Sequence, residues 1–138
     1  MLSEFVTEIR RKLVESLRER LLAGGLRVEA PARLVGSSGA EYWAPLSAIG
    51  PDGKTIMVEI FVSHDLVDEE PVISAYAKIL DTSPSQTFLL VMPKANRAAN
   101  ELAKSYGIKL IEGVSVDDLI MEFIIEFDRV FPIKTVHG

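Results

Sequence analysis

One acidic side chain in this 138-residue chain stands where a carboxylate has to be explained. Glu59 lies inside Lys54-Thr55-Ile56-Met57-Val58-Glu59-Ile60-Phe61-Val62, a run with the alternation of a β-strand. Ile56, Val58, Ile60 and Val62 share one face, and Met57, Glu59 and Phe61 share the other. Both faces are largely apolar, so the strand belongs in the centre of a sheet. Removing a carboxylate from water is unfavourable unless something compensates it. Three solutions are open for Glu59: metal coordination, a paired Lys or Arg, or a strand end that reaches solvent. His64-Asp65, just past the strand, has the residue types of a catalytic pair. An adjacent His and Asp in a loop more often serve as capping or surface groups.

Other chemistries lack their residues. There is no cysteine, which excludes a disulfide framework, a thiolate zinc site and a cysteine nucleophile. Neither a Walker A loop nor a Gly-rich dinucleotide fingerprint occurs, and no Gly-x-Ser-x-Gly elbow. Tyr42, Trp43 and Tyr76 are too few and too scattered for a base-stacking platform, and Met57 and Met92 are expected in the core.

The net charge of −5 disfavours non-specific nucleic-acid binding. Its distribution is uneven: residues 1–37 carry seven Lys/Arg against five Asp/Glu, and the remainder eight against fifteen. The basic candidates are Arg10, Arg11, Lys12, Arg18 and Arg20. Glu4, Glu8 and Glu15 stand at helical spacing to this group, which describes a solvated helix face better than a nucleic-acid patch.

The elements that must position Glu59 follow from periodicity. Phe5, Ile9, Leu13, Leu17 and Leu21 recur every four residues and predict a helix over 3–23, closed by Gly24-Gly25. Alternation predicts a strand over 26–36 and another over 42–49, each interrupted by a proline, Pro31 and Pro45. Gly50-Pro51-Asp52-Gly53 is a hairpin turn into the Glu59 strand. A helix over 68–80, an apolar strand over 87–92, a helix over 94–106 with Gly107 beyond it, and a strand over 108–111 come next. Ser115 opens a closing helix that runs to about Phe131, and residues 132–138 form a tail. The predicted class is α/β (α+β), with a mixed sheet flanked by helices in one domain over residues 1–131.

This order, and several short segments, resemble the restriction-endonuclease-like PD-(D/E)XK nuclease superfamily. The carrying residues are Asp52-Gly53-Lys54-Thr55-Ile56-Met57-Val58-Glu59-Ile60, Tyr76, Phe88-Leu89-Leu90-Val91-Met92-Pro93 and Ala103-Lys104-Ser105-Tyr106-Gly107-Ile108. The resemblance spans residues 40–113 and is closest to an archaeal branch that carries a nuclease-like domain behind a coiled coil. It implies an αβββαβ core, here with an extra C-terminal strand and helix.

It also implies metal-dependent phosphodiester cleavage, in which an Asp and a Glu on adjacent strands hold Mg²⁺. A Lys two residues after the Glu then assists the attacking water. Carried over residue by residue, the Glu is Glu59, the Lys position holds Phe61, and the Asp position, aligned on Gly53, holds Ser47. Phe61 can donate neither charge nor hydrogen bond, and Ser47 is a weak ligand for a hard cation. Glu41, as a second carboxylate, and Lys78 or Lys54, as a relocated lysine, are the residues that could restore such a site. The expected function is therefore a non-catalytic nuclease-like domain with no cofactor, serving as a homodimeric binding or assembly module. The alternatives are a Mg²⁺-dependent DNA or RNA endonuclease with relocated residues around Glu59, and a nucleic-acid binder using the first helix.

The dimer expectation comes from the closing helix, where Leu119, Phe123, Phe127 and Val130 belong to an apolar stripe wider than one sheet contact requires. No segment has the ~18 consecutive apolar residues of a membrane span, and the N-terminus lacks a signal peptide's apolar stretch. The expected location is cytoplasmic.

Overall fold

The computed structural model describes residues 2–131. Helix α1 (Leu2–Ala23) leads into strands β1 (Arg27–Glu29), β2 (Ala32–Val35), β3 (Glu41–Ala44), β4 (Leu46–Ile49) and β5 (Thr55–Val62). Helix α2 (Glu70–Thr82), strand β6 (Gln86–Met92), helix α3 (Arg97–Ser105), strand β7 (Ile108–Glu112) and helix α4 (Val116–Val130) complete it. The predicted tail, 132–138, lies outside the described residues.

Five strands form one mixed sheet in the order β1-β4-β5-β6-β7. The β1–β4 and β4–β5 pairs are antiparallel, and β5–β6 and β6–β7 are parallel. With the four helices of the described residues packed against this sheet, the architecture is the predicted mixed α/β class, a mixed sheet flanked by helices. Strand β5 is central, as its two apolar faces require.

The two predicted proline-interrupted strands are four strands. Residues 27–29 pair with 47–49, and residues 32–35 pair with 41–44, in a single continuous hairpin register. That register sets Pro31 opposite Pro45 at the interrupted rung. Neither proline has an N–H to give the ladder, so hydrogen bonding fails on both strands at once. The hairpin bends there: β1 and β4 join the main sheet, while β2 and β3 leave it as a separate two-stranded ribbon.

The other boundaries follow local chemistry. Gly53 adopts φ +82° in the turn before β5, a conformation that suits glycine. Helix α3 begins three residues later than predicted because Asn96 is its cap, accepting from Ala99 N at 2.7 Å. Ser115 caps α4 by accepting from Asp118 N at 3.1 Å, as its spacing predicts.

Two apolar layers hold the sheet. On one side α1 and α4 supply Leu13, Leu17, Leu21, Leu119 and Phe123 against Ile56, Val58, Ile60, Phe88 and Leu90. On the other side α2 and α3 bring Val72, Ala75, Ala99 and Ala103 to Leu89 and Val91. Leu119 and Phe123, expected at a dimer face, have no exposed surface and belong to the chain's own core. A second copy cannot use side chains already enclosed; of the four, Phe127 and Val130 alone are partly exposed. No helix among the described residues is long and apolar enough to cross a membrane.

Candidate functional site

The proline bend makes the site. Strand β4 pairs with β5 only as far as Leu46 opposite Val58, so Glu59 is the first residue of β5 beyond that ladder. On its other side β5 stays paired, with Glu59 beside Leu89 of β6. The β4–β5 ladder therefore ends just short of Glu59, where the hairpin turns away. Arg10 of α1 enters the same stretch and donates to the carbonyl of Ile60 at 3.0 Å.

Glu59 is compensated by a lysine from the following helix. Lys78 Nζ donates to Glu59 Oε1 at 2.9 Å and to the Trp43 carbonyl of the ribbon at 2.7 Å. The two side chains are only 20% and 16% exposed, for Lys78 and Glu59 respectively. Charge pairing, one of the three solutions open from sequence, is the one realised. Lys78 is also one of the two lysines named as able to reach the site. The other, Lys54, stays at the hairpin turn beside Asp52, 3.8 Å away.

The remaining expected residues divide. Ser47 faces Met57 across the β4–β5 ladder, which puts it one step from Glu59 on the same side of the sheet. Phe61 lies two residues on from Glu59 and is 40% exposed. Glu41 does not join them: it pairs with Arg33 on the ribbon, and that charge-assisted contact holds its carboxyl below the usual range. His64 stacks on Phe5, with ring centroids 5.3 Å apart, and so packs against α1. Two of the five basic residues are engaged as well, Arg10 with Ile60 and Arg11 with Glu8 and Glu15.

A second polar group next to the site has no counterpart in the sequence expectations. Asp81, one turn after Lys78 on α2, receives Ser37 Oγ at 3.0 Å, Ser38 N at 2.9 Å, Ser38 Oγ at 2.5 Å and Tyr42 Oη at 2.8 Å. These donors favour the ionised form, Ser38 most, and lower the carboxyl to about 2. The same contact raises the Tyr42 phenol, because its proton is held by the carboxylate. Gly36 is required for this approach: a β-carbon there would lie 2.0 Å from Asp81 Oδ2. The signal in the sequence was the three-residue spacing of Lys78 and Asp81, which places both on one helix face.

The donors do not fit Mg²⁺. The cation needs an oxygen shell anchored by carboxylates, whereas Glu59 is neutralised by Lys78 and its neighbours are a hydroxyl and a phenyl ring. Among the described residues no group of three or more His, Cys, Asp or Glu is placed to hold a metal ion.

No protein-family model matches the chain, and no curated protein does. Among solved structures it is similar to AF1548, a protein of unknown function, at 19% identity and TM-score 0.61, over 91% of this chain and 72% of that one. That similarity shows a shared fold. The DNA modification-dependent restriction endonuclease AspBHI aligns more distantly, at 14% identity and TM-score 0.41, over 86% of this chain and 36% of that one.

Proposed function

We propose that this chain is a nuclease-like domain of the PD-(D/E)XK type, of the archaeal coiled-coil-associated branch, that has lost catalysis and works as a homodimeric binding or assembly module. The observation that carries the proposal is the state of Glu59: its carboxylate is neutralised by Lys78, and Lys78 is also held by the ribbon carbonyl. A carboxylate engaged in this way, with Ser47 and Phe61 beside it, has lost the surroundings that phosphodiester hydrolysis needs. For self-association the support lies on α4, where Met121 is 65% and Ile125 42% exposed. Phe127 and Val130 continue that helix as partly buried residues.

A second reading, a Mg²⁺-dependent endonuclease with a relocated lysine, is favoured by one fact: Lys78 Nζ is within 2.9 Å of Glu59. Incubation of DNA and RNA substrates with the protein in Mg²⁺ or Mn²⁺ separates the two. The proposal expects no cleavage that Glu59→Gln abolishes; metal-dependent cleavage lost in both Glu59→Gln and Lys78→Met would establish the second reading. A sedimentation mass of one chain at micromolar concentration would remove the dimer.

A further inference from the structure

We propose that the β2–β3 ribbon is a hinged cover over the Glu59–Lys78 pair, latched by Asp81. This holds whether the chain cleaves a substrate or only binds a partner. Three independent features point to it.

The first is the hinge. The ribbon and the β1–β4 pair are one hairpin in one register, and the rung where they separate places Pro31 opposite Pro45. Ladder hydrogen bonds are missing there on both strands, so rotation about this rung breaks none. Movement of this kind is absorbed by a few residues at element ends.

The second is the weakness of apolar attachment. The inner face of the ribbon carries buried Ala32 and Ala44, at 0% and 3% exposure, with Leu34 and Tyr42 partly buried beside them, and none of the four belongs to either of the two apolar cores. Alanines allow close approach and contribute little apolar area. The outer face, with Arg33, Val35, Glu41 and Trp43, is exposed.

The third is the latch. The described polar contacts from the ribbon to the rest of the chain converge on one face of α2. Ser37, Ser38 and Tyr42 donate to Asp81, Ser37 N donates to the Asp81 carbonyl at 2.9 Å, and the Trp43 carbonyl receives Lys78. The Ser37 and Ser38 contacts are exposed and exchange readily with water, so the latch is strong in number and reversible in kind. When it opens, Lys78 loses the Trp43 carbonyl and is left with two free donors beside Glu59. An anionic oxygen, such as that of a carboxylate or a phosphate, is the chemical class that would take the carbonyl's place.

The test is amine acylation of the whole chain with acetic anhydride, read by peptide mass, together with amide hydrogen exchange. In the parent protein Lys78 should react far more slowly than exposed Lys104. In Asp81→Asn, Lys78 acylation and exchange of ribbon amides should rise together by about tenfold, the scale of losing a hydrogen bond to a charged group. Lys104 and the amides of β6 should not change. Ser38→Ala combined with Tyr42→Phe opens the latch from the ribbon side without altering α2, and should give the same pattern. The cover is refuted if Lys78 in the parent reacts like Lys104, if neither variant changes Lys78, or if Lys78, Lys104 and the β6 amides all rise together.

Discussion

Strand β5 presents two faces built on opposite plans. The face toward α1 and α4 carries Ile56, Val58, Ile60 and Val62 and is closed by large side chains, among them Leu13, Leu17, Phe88 and Phe123. The face toward α2 and the ribbon carries buried Met57, then Glu59 in an ion pair beneath the two-stranded ribbon, then half-exposed Phe61. Apolar contact holds the first face throughout; on the second it gives way at Glu59 to directed polar contacts. The strand's buried apolar residues are concentrated on one side, and its charged and half-exposed residues lie on the other.

Substitutions can test that division, and the largest effect belongs to the apolar face. Phe88→Ala removes a fully buried ring that meets Phe123 edge-on at 5.0 Å between centroids. It should cost about 3–5 kcal/mol in urea unfolding. A loss below that of any single substitution at Glu59 or Lys78 would break the comparison.

On the polar face, Lys78→Met leaves a mostly enclosed Glu59 without its cation and should cost about 1–3 kcal/mol. The double variant Glu59→Met with Lys78→Met removes both charges and should cost less than the sum of the two singles. Simple additivity in that cycle would mean the two groups are not coupled.

Asp81 sets a smaller, pH-dependent effect. Its carboxyl is lowered from 3.8 unfolded to about 2 folded, so its contribution is present above pH 4 and is lost as the pH falls from about 4 to about 2. Solvent screens the group, so the slope should be shallow. Asp81→Asn should flatten that part of the acid-unfolding curve and leave the curve's shape above pH 5 unchanged. The smallest effect belongs to Arg97, whose pairing with Glu101 is on the surface. Arg97→Ala should leave the melting temperature where it was.

How much of this was legible in the sequence depended on the range of the signal. Helix α1, strand β5 and α4 followed from four-residue and two-residue periodicities, and Glu59 stood out because a carboxylate breaks the apolar pattern of its strand. The prolines at 31 and 45 were visible as interruptions, but their meeting across one rung is a property of hairpin register, so four strands were read as two. The partner of Glu59 lies 19 residues away on α2. Sequence offers it only as one of two lysines able to arrive, because helix rotation against a sheet is set by packing. Asp81 was missed altogether: its four donors come from residues 37, 38 and 42, far away along the chain. On α4 the stripe is apolar as its spacing predicts, but periodicity does not say which part meets the sheet, and Leu119 and Phe123 face inward.

The central claim is that Glu59 is held by Lys78 and does not serve as a metal ligand. Calorimetric titration of Mn²⁺ into the parent protein and into Glu59→Gln tests it most directly. The account predicts the same heats for both, with no site that depends on Glu59. A saturable Mn²⁺ site in the parent that disappears in Glu59→Gln would contradict it.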